Sequence, residues 1–312
     1  MNETRILQGP ELIRLDQLLE KYRQGQNRFG DMIIGPAWVN LMIEKITGGK
    51  DRALTIVDED GIQGFILFKT GSHSVLGSMI YVDDVEGREK LLSKLVSDLR
   101  ERFPGKSIVF PEPLPDMEIE NQKRLFAKAG FEIMERYKME YSIRYEVHAP
   151  KRPEGFTLKK YSRLLDQNIT VLDKRAYENH PDERIIDILT DIGIEPPSLR
   201  IVHSSTAFFE RNMSWFAMSG NRLAGAIYCT RSGADLWISN LVVDPDFQGR
   251  GLGKYLFFRT LEGMKKSNYR RCVLMVSAGN EAALKIYKNF KFKLKRKCFN
   301  FVYHTGQGVK NL

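Results

Sequence analysis

The same landmarks occur twice in this 312-residue chain, 161 residues apart, so whatever fold it adopts must be built from two alike halves. Ile62, Gly64 and Ile66 follow Asp60-Gly61 as the second arm of a hairpin. Leu223, Gly225 and Ile227 follow Asn221-Arg222 in the same way, and 225 − 64 = 161. Val82-Asp83 corresponds to Val243-Asp244, Leu91 and Leu95 to Leu252 and Leu256, and Glu101 to Glu262. Glu120, Leu125 and Phe131 correspond to Glu281, Ile286 and Phe292. A gap of about four residues after Ile108–Phe110 is compensated nearby. Chance supplies one or two such matches, not hairpin, strand, helix and final strand in one register. The stretch Arg144–Glu154, with two prolines and mixed charge, reads as a linker. Two domains are expected, 1–146 and 151–312.

The second copy sets out the pattern. Gly155–Tyr161 reads as a short strand, and Arg163–Tyr177 and Asp182–Ile192 as helices, the latter stopped by Gly193. Trp215–Met218 and Leu223–Thr230 alternate around Gly220-Asn221 as a hairpin. Leu236–Val243 is an apolar strand, and Gly253–Lys265 places Leu256, Phe257, Thr260, Leu261 and Met264 at helical spacing. Cys272–Val276 reads as a buried strand, Asn280–Asn289 as a helix and Phe292–Tyr303 as a last strand. The fold class is α/β, in the α+β sense of a mixed sheet with packed helices.

Composition narrows the functional class. At 42% hydrophobic and 28% charged the chain resembles ordinary soluble globular proteins. No apolar run approaches the ~20 residues of a membrane span, and Met1–Pro10 lacks the apolar stretch of a secretory signal. Cys229, Cys272 and Cys298 are too scattered for a disulfide framework or a zinc site and sit in apolar runs, so a reducing, cytoplasmic setting and no metal are expected. Residues 1–150 carry 21 Lys+Arg against 24 Asp+Glu, leaving 27 against 15 for the rest. A half at +12 suggests an anionic partner, either a phosphate-rich cofactor or nucleic acid, or simply a solvated basic face.

Leu241–Lys254, L-V-V-D-P-D-F-Q-G-R-G-L-G-K, carries the chemistry. An apolar strand ends at Val243, Asp244-Pro245 turns the chain, and Gln248-Gly249-Arg250-Gly251-Leu252-Gly253 leads into a helix. Glycines let backbone approach a ligand closely, and the N–H groups of a helix start face outward unpaired. Arg250 and Lys254 add charge suited to phosphate. Neither the dinucleotide spacing G-x-G-x-x-G nor the Walker pattern is met.

Val243, Pro245, Gln248, Gly251 and Gly253 resemble motif A of the GNAT superfamily, the general-control-related N-acetyltransferases. Val276–Phe292 resembles a second family segment, with Asn280, Ala283, Tyr287 and Phe292 matching and Lys291 standing where glycine is frequent. The resemblance covers roughly 155–303 in motif and 5–145 only as fold. It implies two tandem GNAT-like acyl-CoA N-acyltransferase folds, and acetyl-CoA as co-substrate with no metal. Leu241, Val242 and Val243 would pair their backbone with the pantetheine arm. Amides of Gln248, Gly249, Arg250, Gly251, Leu252, Gly253 and Lys254 would hold the pyrophosphate, Asn280 would touch the cofactor, and Tyr287 would protonate the leaving thiolate. A tyrosine hydroxyl can serve as such an acid, although an amphipathic helix also places tyrosines in cores. His180, Asp182 and Asn240 are candidate acceptor-binding residues. The strand before motif A carries only Asp235, at its far start, so the base is open among water, His203, His180 and Glu210.

In the first copy, Glu86, Gly87, Arg88, Glu89 and Lys90 of Val82–Leu92 fall opposite Phe247–Gly251, and Phe126 replaces Tyr287. Acidic side chains where phosphates would sit, and a missing acid, make this copy the non-catalytic one. The expected activity is transfer of an acetyl group to a primary amine by direct attack, in the second copy. The acceptor is a small molecule or peptide, without membrane; an intact motif A favours CoA over nucleic acid; and the protein is a monomer or homodimer. The alternatives are an aminoacyl or other acyl transferase of tandem type and a non-catalytic acyl-CoA sensor.

Overall fold

The computed structural model describes residues 3–7, 12–29, 34–59, 61–83, 86–111, 114, 117–145, 148–194, 196–203 and 208–305. Asp60 of the first hairpin, Asp84 and Val85 of the first-copy loop, Glu146 and Val147 of the linker, and Met1, Asn2 and Gln8–Pro10 lie outside them. Two compact units result, residues 1–134 with 191–193 and 299–312, and residues 135–190 with 194–298.

The repeat is visible in the strands. β3 (Gly61–Thr70), β4 (Ser74–Val82) and β6 (Glu132–Ser142) of the first copy match β9 (Arg222–Ser232), β10 (Asp235–Val243) and β12 (Lys293–Tyr303) of the second. β4 and β6 match at both ends at the 161-residue offset. The irregularities repeat as well. β2 (Arg52–Asp58) shifts register against β3 between Ile56 and Val57, and β8 (Trp215–Ser219) against β9 between Ala217 and Met218. β4 skips a residue at Ser78 against β3, and β10 skips one at Ser239 against β9. A bulge bends its strand and re-aims the residues beyond it, so the repetition shows that both copies bend at one place.

In the first unit the sheet order is β1 (Glu3–Ile6), β2, β3, β4, β5 (Ser107–Pro111), then the end of β12. In the second it is β6, β11 (Arg271–Ser277), β10, β9, β8, β7 (Thr157–Lys159). The last strands have therefore changed places. Arg136–Ser142 of β6, from the first copy, pairs antiparallel with β11, and Asn300–Tyr303 of β12, from the second, pairs antiparallel with β5. The compact units thus divide the chain differently from a cut at residues 146 and 151.

Each sheet is covered on both faces, as an apolar sheet requires. In the second unit α8 (Leu252–Met264) and α9 (Glu281–Asn289) close one face through Leu256, Phe257, Leu261, Leu284 and Tyr287. α5 (Asp166–Tyr177) and α7 (Pro197–His203) close the other through Ile169, Leu172 and Val202, and α6 (Glu183–Asp191) lies between them in sequence. No sequence pattern points to α7, because a seven-residue helix is too short to show a period. In the first unit α3 (Arg88–Arg102) and α4 (Ile119–Lys128) cover one face, and α1 (Leu12–Phe29) and α2 (Ala37–Thr47) the other. Cys229, Cys272 and Cys298 are buried free thiols. Among the described residues, no helix is long and apolar enough to cross a membrane.

An aromatic wedge fills the first unit where β4 parts from β5. The two strands pair only over Ser74–Leu76 with Ser107–Val109. Beyond, the Phe110 ring lies against Gly77 so closely that a Cβ there would fall 2.1 Å from a ring carbon. Phe126 packs on Phe110 at 5.2 Å and stacks on Phe301 at 4.1 Å between centroids. Phe126→Ala should cost about 3–5 kcal/mol, the range for a buried Phe with incomplete collapse of the cavity; urea unfolding measures it, and a loss below about 1 kcal/mol would mean the wedge is dispensable.

Candidate active site

In the second unit the parting of strands stays open. β10 pairs in parallel with β11 from Asp235–Arg271 to Ile238–Leu274 and no further, while its pairing with β9 continues to Val243. The break coincides with the bulge at Ser239. Residues Asn240–Val243 therefore keep one hydrogen-bonding edge toward β9 and turn the other toward a gap. An extended ligand can pair with such an edge as a strand would.

The turn after β10 is held by one carboxylate. Asp244 is 1% exposed. Its Oδ1 accepts from the Asp246 N–H, capping a single 3₁₀ turn at Pro245–Phe247. The carboxylate also accepts from Arg175 of α5 at 2.9 Å and from Arg222 of β9 at 2.7 Å. Burial pushes the carboxyl up, but the two guanidinium bonds outweigh it, and the group lies below its ordinary value. Gln248 Nε2 satisfies the Val243 carbonyl at 3.0 Å. Gly249 and Gly251 then adopt φ of 74° and 78°, a region that disfavours a Cβ, and Gly251 starts α8. The N–H groups of Gly249, Arg250 and Gly251 have no partner among the described residues, and those of Leu252, Gly253 and Lys254 belong to the open first turn. Arg250 lies over the Phe247 ring at 5.4 Å, and both Arg250 and Lys254 are exposed. Backbone amides so arranged, with two cations beside them, can hold an anion.

The corresponding loop of the first unit is closed. Gly87, at φ 82°, starts α3 one turn earlier, so Arg88–Lys90 are helical where Gly249–Gly251 form the turn. Arg88 folds back onto the Val82 carbonyl at 3.1 Å.

Tyr287 projects from α9 into the core beside Phe257 and Phe292 and is 6% exposed. Burial raises its pKa, so the hydroxyl stays protonated. Asn280 caps α9, its Oδ1 accepting from the Ala283 N–H at 3.0 Å, and its Nδ2 lies 2.9 Å from His180 Nε2. The side chain of Asn280 is thus committed to a helix start, a role that asparagine before a helix commonly takes. His180 Nδ1 accepts from the Asp182 N–H, and burial lowers the imidazole's pKa against the pull of Asp182. Asp182 bonds to Ser277 at the end of β11 and faces Arg136 of β6 at 3.9 Å. Asn240, Asn280, His180 and Asp182 are thereby linked around the mouth of the gap, joined by Tyr177, which bonds to Asn240 and meets His180 edge-on at 5.3 Å. Of the other base candidates, His203 pairs with Asp166 and Glu210 with Tyr269, while Asp235 pairs with Arg271 at the start of β10.

Sequence reasoning missed Tyr177, Arg175, Asp173 and Ser198, all on α5 or α7. Only the helical period of α5 was readable; which of its polar residues faced the sheet was not. Among the described residues no cluster of His, Cys, Asp and Glu could hold a metal.

Asp244→Ala should cost about 1.5–3 kcal/mol, the worth of hydrogen bonds to a charged group. Because the folded carboxyl lies below its ordinary value, this contribution is complete above that value and is lost as pH falls through the folded one. Urea titrations of both chains should therefore differ at neutral pH and converge in acid; a gap independent of pH would contradict the ion-pair account.

Residues 177–292 match the acetyltransferase (GNAT) family. A mycothiol acetyltransferase of Saccharopolyspora erythraea is 24% identical over 275 residues, 75% of this chain and 84% of that protein. Among solved structures, a GCN5-related N-acetyltransferase from Sphaerobacter thermophilus aligns over 97% of this chain and 95% of its own, with TM-score 0.59 and 15% identity. A tandem GNAT protein from the clavulanic acid biosynthesis pathway aligns over 96% of this chain and 98% of its own, with TM-score 0.59 and 12% identity. At such identities the structures speak for the fold, over nearly the whole chain. Residues 177–292 are thus similar to the GNAT family of acetyltransferases, and nearly the whole chain shares the fold of a tandem protein of that kind.

Proposed function

We propose that the second copy transfers an acetyl group from acetyl-CoA to a primary amine by direct attack. The observation that carries this reading is the open gap between β10 and β11, which ends at a cradle of free amides. A pantetheine arm fits the free edge at Leu241–Val243, and a pyrophosphate suits the amides of Gly249–Lys254 with Arg250 and Lys254 beside them, whereas the Gln248 N–H is taken by the Pro245 carbonyl. A backbone N–H of the free edge would stabilise the oxyanion as the nitrogen attacks the thioester carbon. The C–S bond then breaks, Tyr287 gives its proton to the thiolate, and the amine proton leaves to water. Asn280, as a helix cap, would bound the gap rather than grip the donor.

The first copy is read as non-catalytic. Its gap is filled by Phe110, its loop is helical, and Phe126 stands in the place of Tyr287. Its role is structural, since it receives the end of β12 into its sheet.

Two measurements test the reading. Calorimetric titration of the full chain with acetyl-CoA should give one site per chain; two equivalent sites would refute the assignment of the first copy. Tyr287→Phe should lower kcat on the order of 10²-fold with unchanged acetyl-CoA affinity, followed as thiol release with a panel of amines. An unchanged kcat would make Tyr287 a core residue only.

A further inference from the structure

One chain of hydrogen bonds beside the gap runs in a single direction. Ser198 donates to Asp173 twice, from Oγ to Oδ1 at 2.6 Å and from its N–H to Oδ2 at 3.0 Å. An ionised carboxylate only accepts, so the Ser198 proton is committed and its oxygen is left to accept from Asn240 Nδ2, at 2.9 Å. That fixes the Asn240 amide with Oδ1 toward Tyr177, whose hydroxyl donates to it at 3.0 Å. The Tyr177 proton is thereby turned into the protein, and its oxygen offers only lone pairs on the other side. Tyr177 stands between Asn240, at the start of the unpaired stretch of β10, and His180.

Asp173 is an expensive way to hold a serine. It is 3% exposed, and among the described residues no cation pairs with it. The groups facing it are neutral: Tyr177 from its own helix, Ser198 from α7 and Tyr228 from β9. Burial raises its pKa to about 6 against the two Ser198 bonds. A neutral side chain would serve packing better, and a buried, unpaired carboxylate beside a cleft is a mark of functional sites.

We propose that the Tyr177 hydroxyl oxygen accepts an N–H of the incoming amine at the mouth of the gap, and that Asn240, Ser198 and Asp173 are positioning residues that keep its proton turned away. This rests on the acetyl-transfer reading and supplies the side chain that orients the nucleophile. With one N–H held by Tyr177, the nitrogen lone pair is free to point at the thioester carbon. The N–C bond forms and the C–S bond breaks. Tyr177, already protonated, does not take the amine proton, which passes to water, while the thiolate takes its proton from Tyr287.

The test uses the full chain, acetyl-CoA and an amine of low basicity, so that protonation of the acceptor does not mask the profile. Tyr177→Phe should raise the amine KM on the order of tenfold while leaving acetyl-CoA affinity unchanged. Ser198→Ala, which spares Tyr177 itself, should act in the same direction. Asp173→Asn should raise the amine KM at pH 8, and parent and variant should converge below about pH 5. The sign comes from a raised carboxyl: the parent has its ionised acceptor only above the folded value and loses it as pH falls. A parent that acetylates amines normally, but whose amine KM is unmoved by Tyr177→Phe or differs from Asp173→Asn equally at all pH, overturns this inference alone. A parent that acetylates no amine overturns the acetyl-transfer reading and this inference with it.

Discussion

Everything at the site is referred to the buried carboxylate of Asp244. It ends the strand that forms one wall of the gap, caps the turn that launches the glycine loop, and ties both to α5 and β9 through Arg175 and Arg222. Burying a carboxylate is costly unless it is matched by charge and hydrogen bonds, and here all three elements must be in place to match it. The same device occurs in the first copy, where Asp83 meets Lys21 of α1. That carboxylate is 28% exposed, and besides the Tyr81 hydroxyl it meets a lysine, a point charge rather than a fork that can bridge two oxygens.

The two copies share the device that opens a gap and differ in what fills it. Each has a bulge, at Ser78 or Ser239, that bends the strand away from its parallel neighbour. In the first unit Phe110 drops against Gly77 and the wedge closes with Phe126 and Phe301. In the second, the place of Gly77 holds Ile238, which still pairs with Leu274, and the gap begins just beyond. Closing a gap by this route needs no change of fold, because a ring of the right size supplies the dispersion contacts that an open gap lacks.

What was legible in the sequence was local. Strand alternation, the helical period of α8 and the glycine turn are patterns within short windows, the offset of 161 residues is their recurrence, and the structure places each element close to where they pointed. The bulges were invisible, because a one-residue skip depends on the partner strand. Asn280 is instructive: asparagine before a helix is a capping signal, and the structure uses it so. The chain from Tyr177 to Asp173 joins residues 42 and 63 positions apart, and no periodicity reports such pairings. Nor does alternation say which strand a strand will join, so β6 and β12 were recognisable as strands while their exchange was not.

That exchange has a bearing on how the chain comes into being. A ribosome delivers residues in order, and proteins of two units ordinarily complete the first while the second is still being made. Here the sheet of the first unit lacks its strand beside β5 until Asn300–Tyr303 emerge, after every strand of the second unit has been made. Until then β5 has an open edge, with Ile108, Val109 and Phe110 along it, the kind of edge that recruits stray strands. The second unit, by contrast, has received β6 before its own strands are made. The second unit can therefore assemble its sheet first, and the first unit must wait for the last strand of its twin.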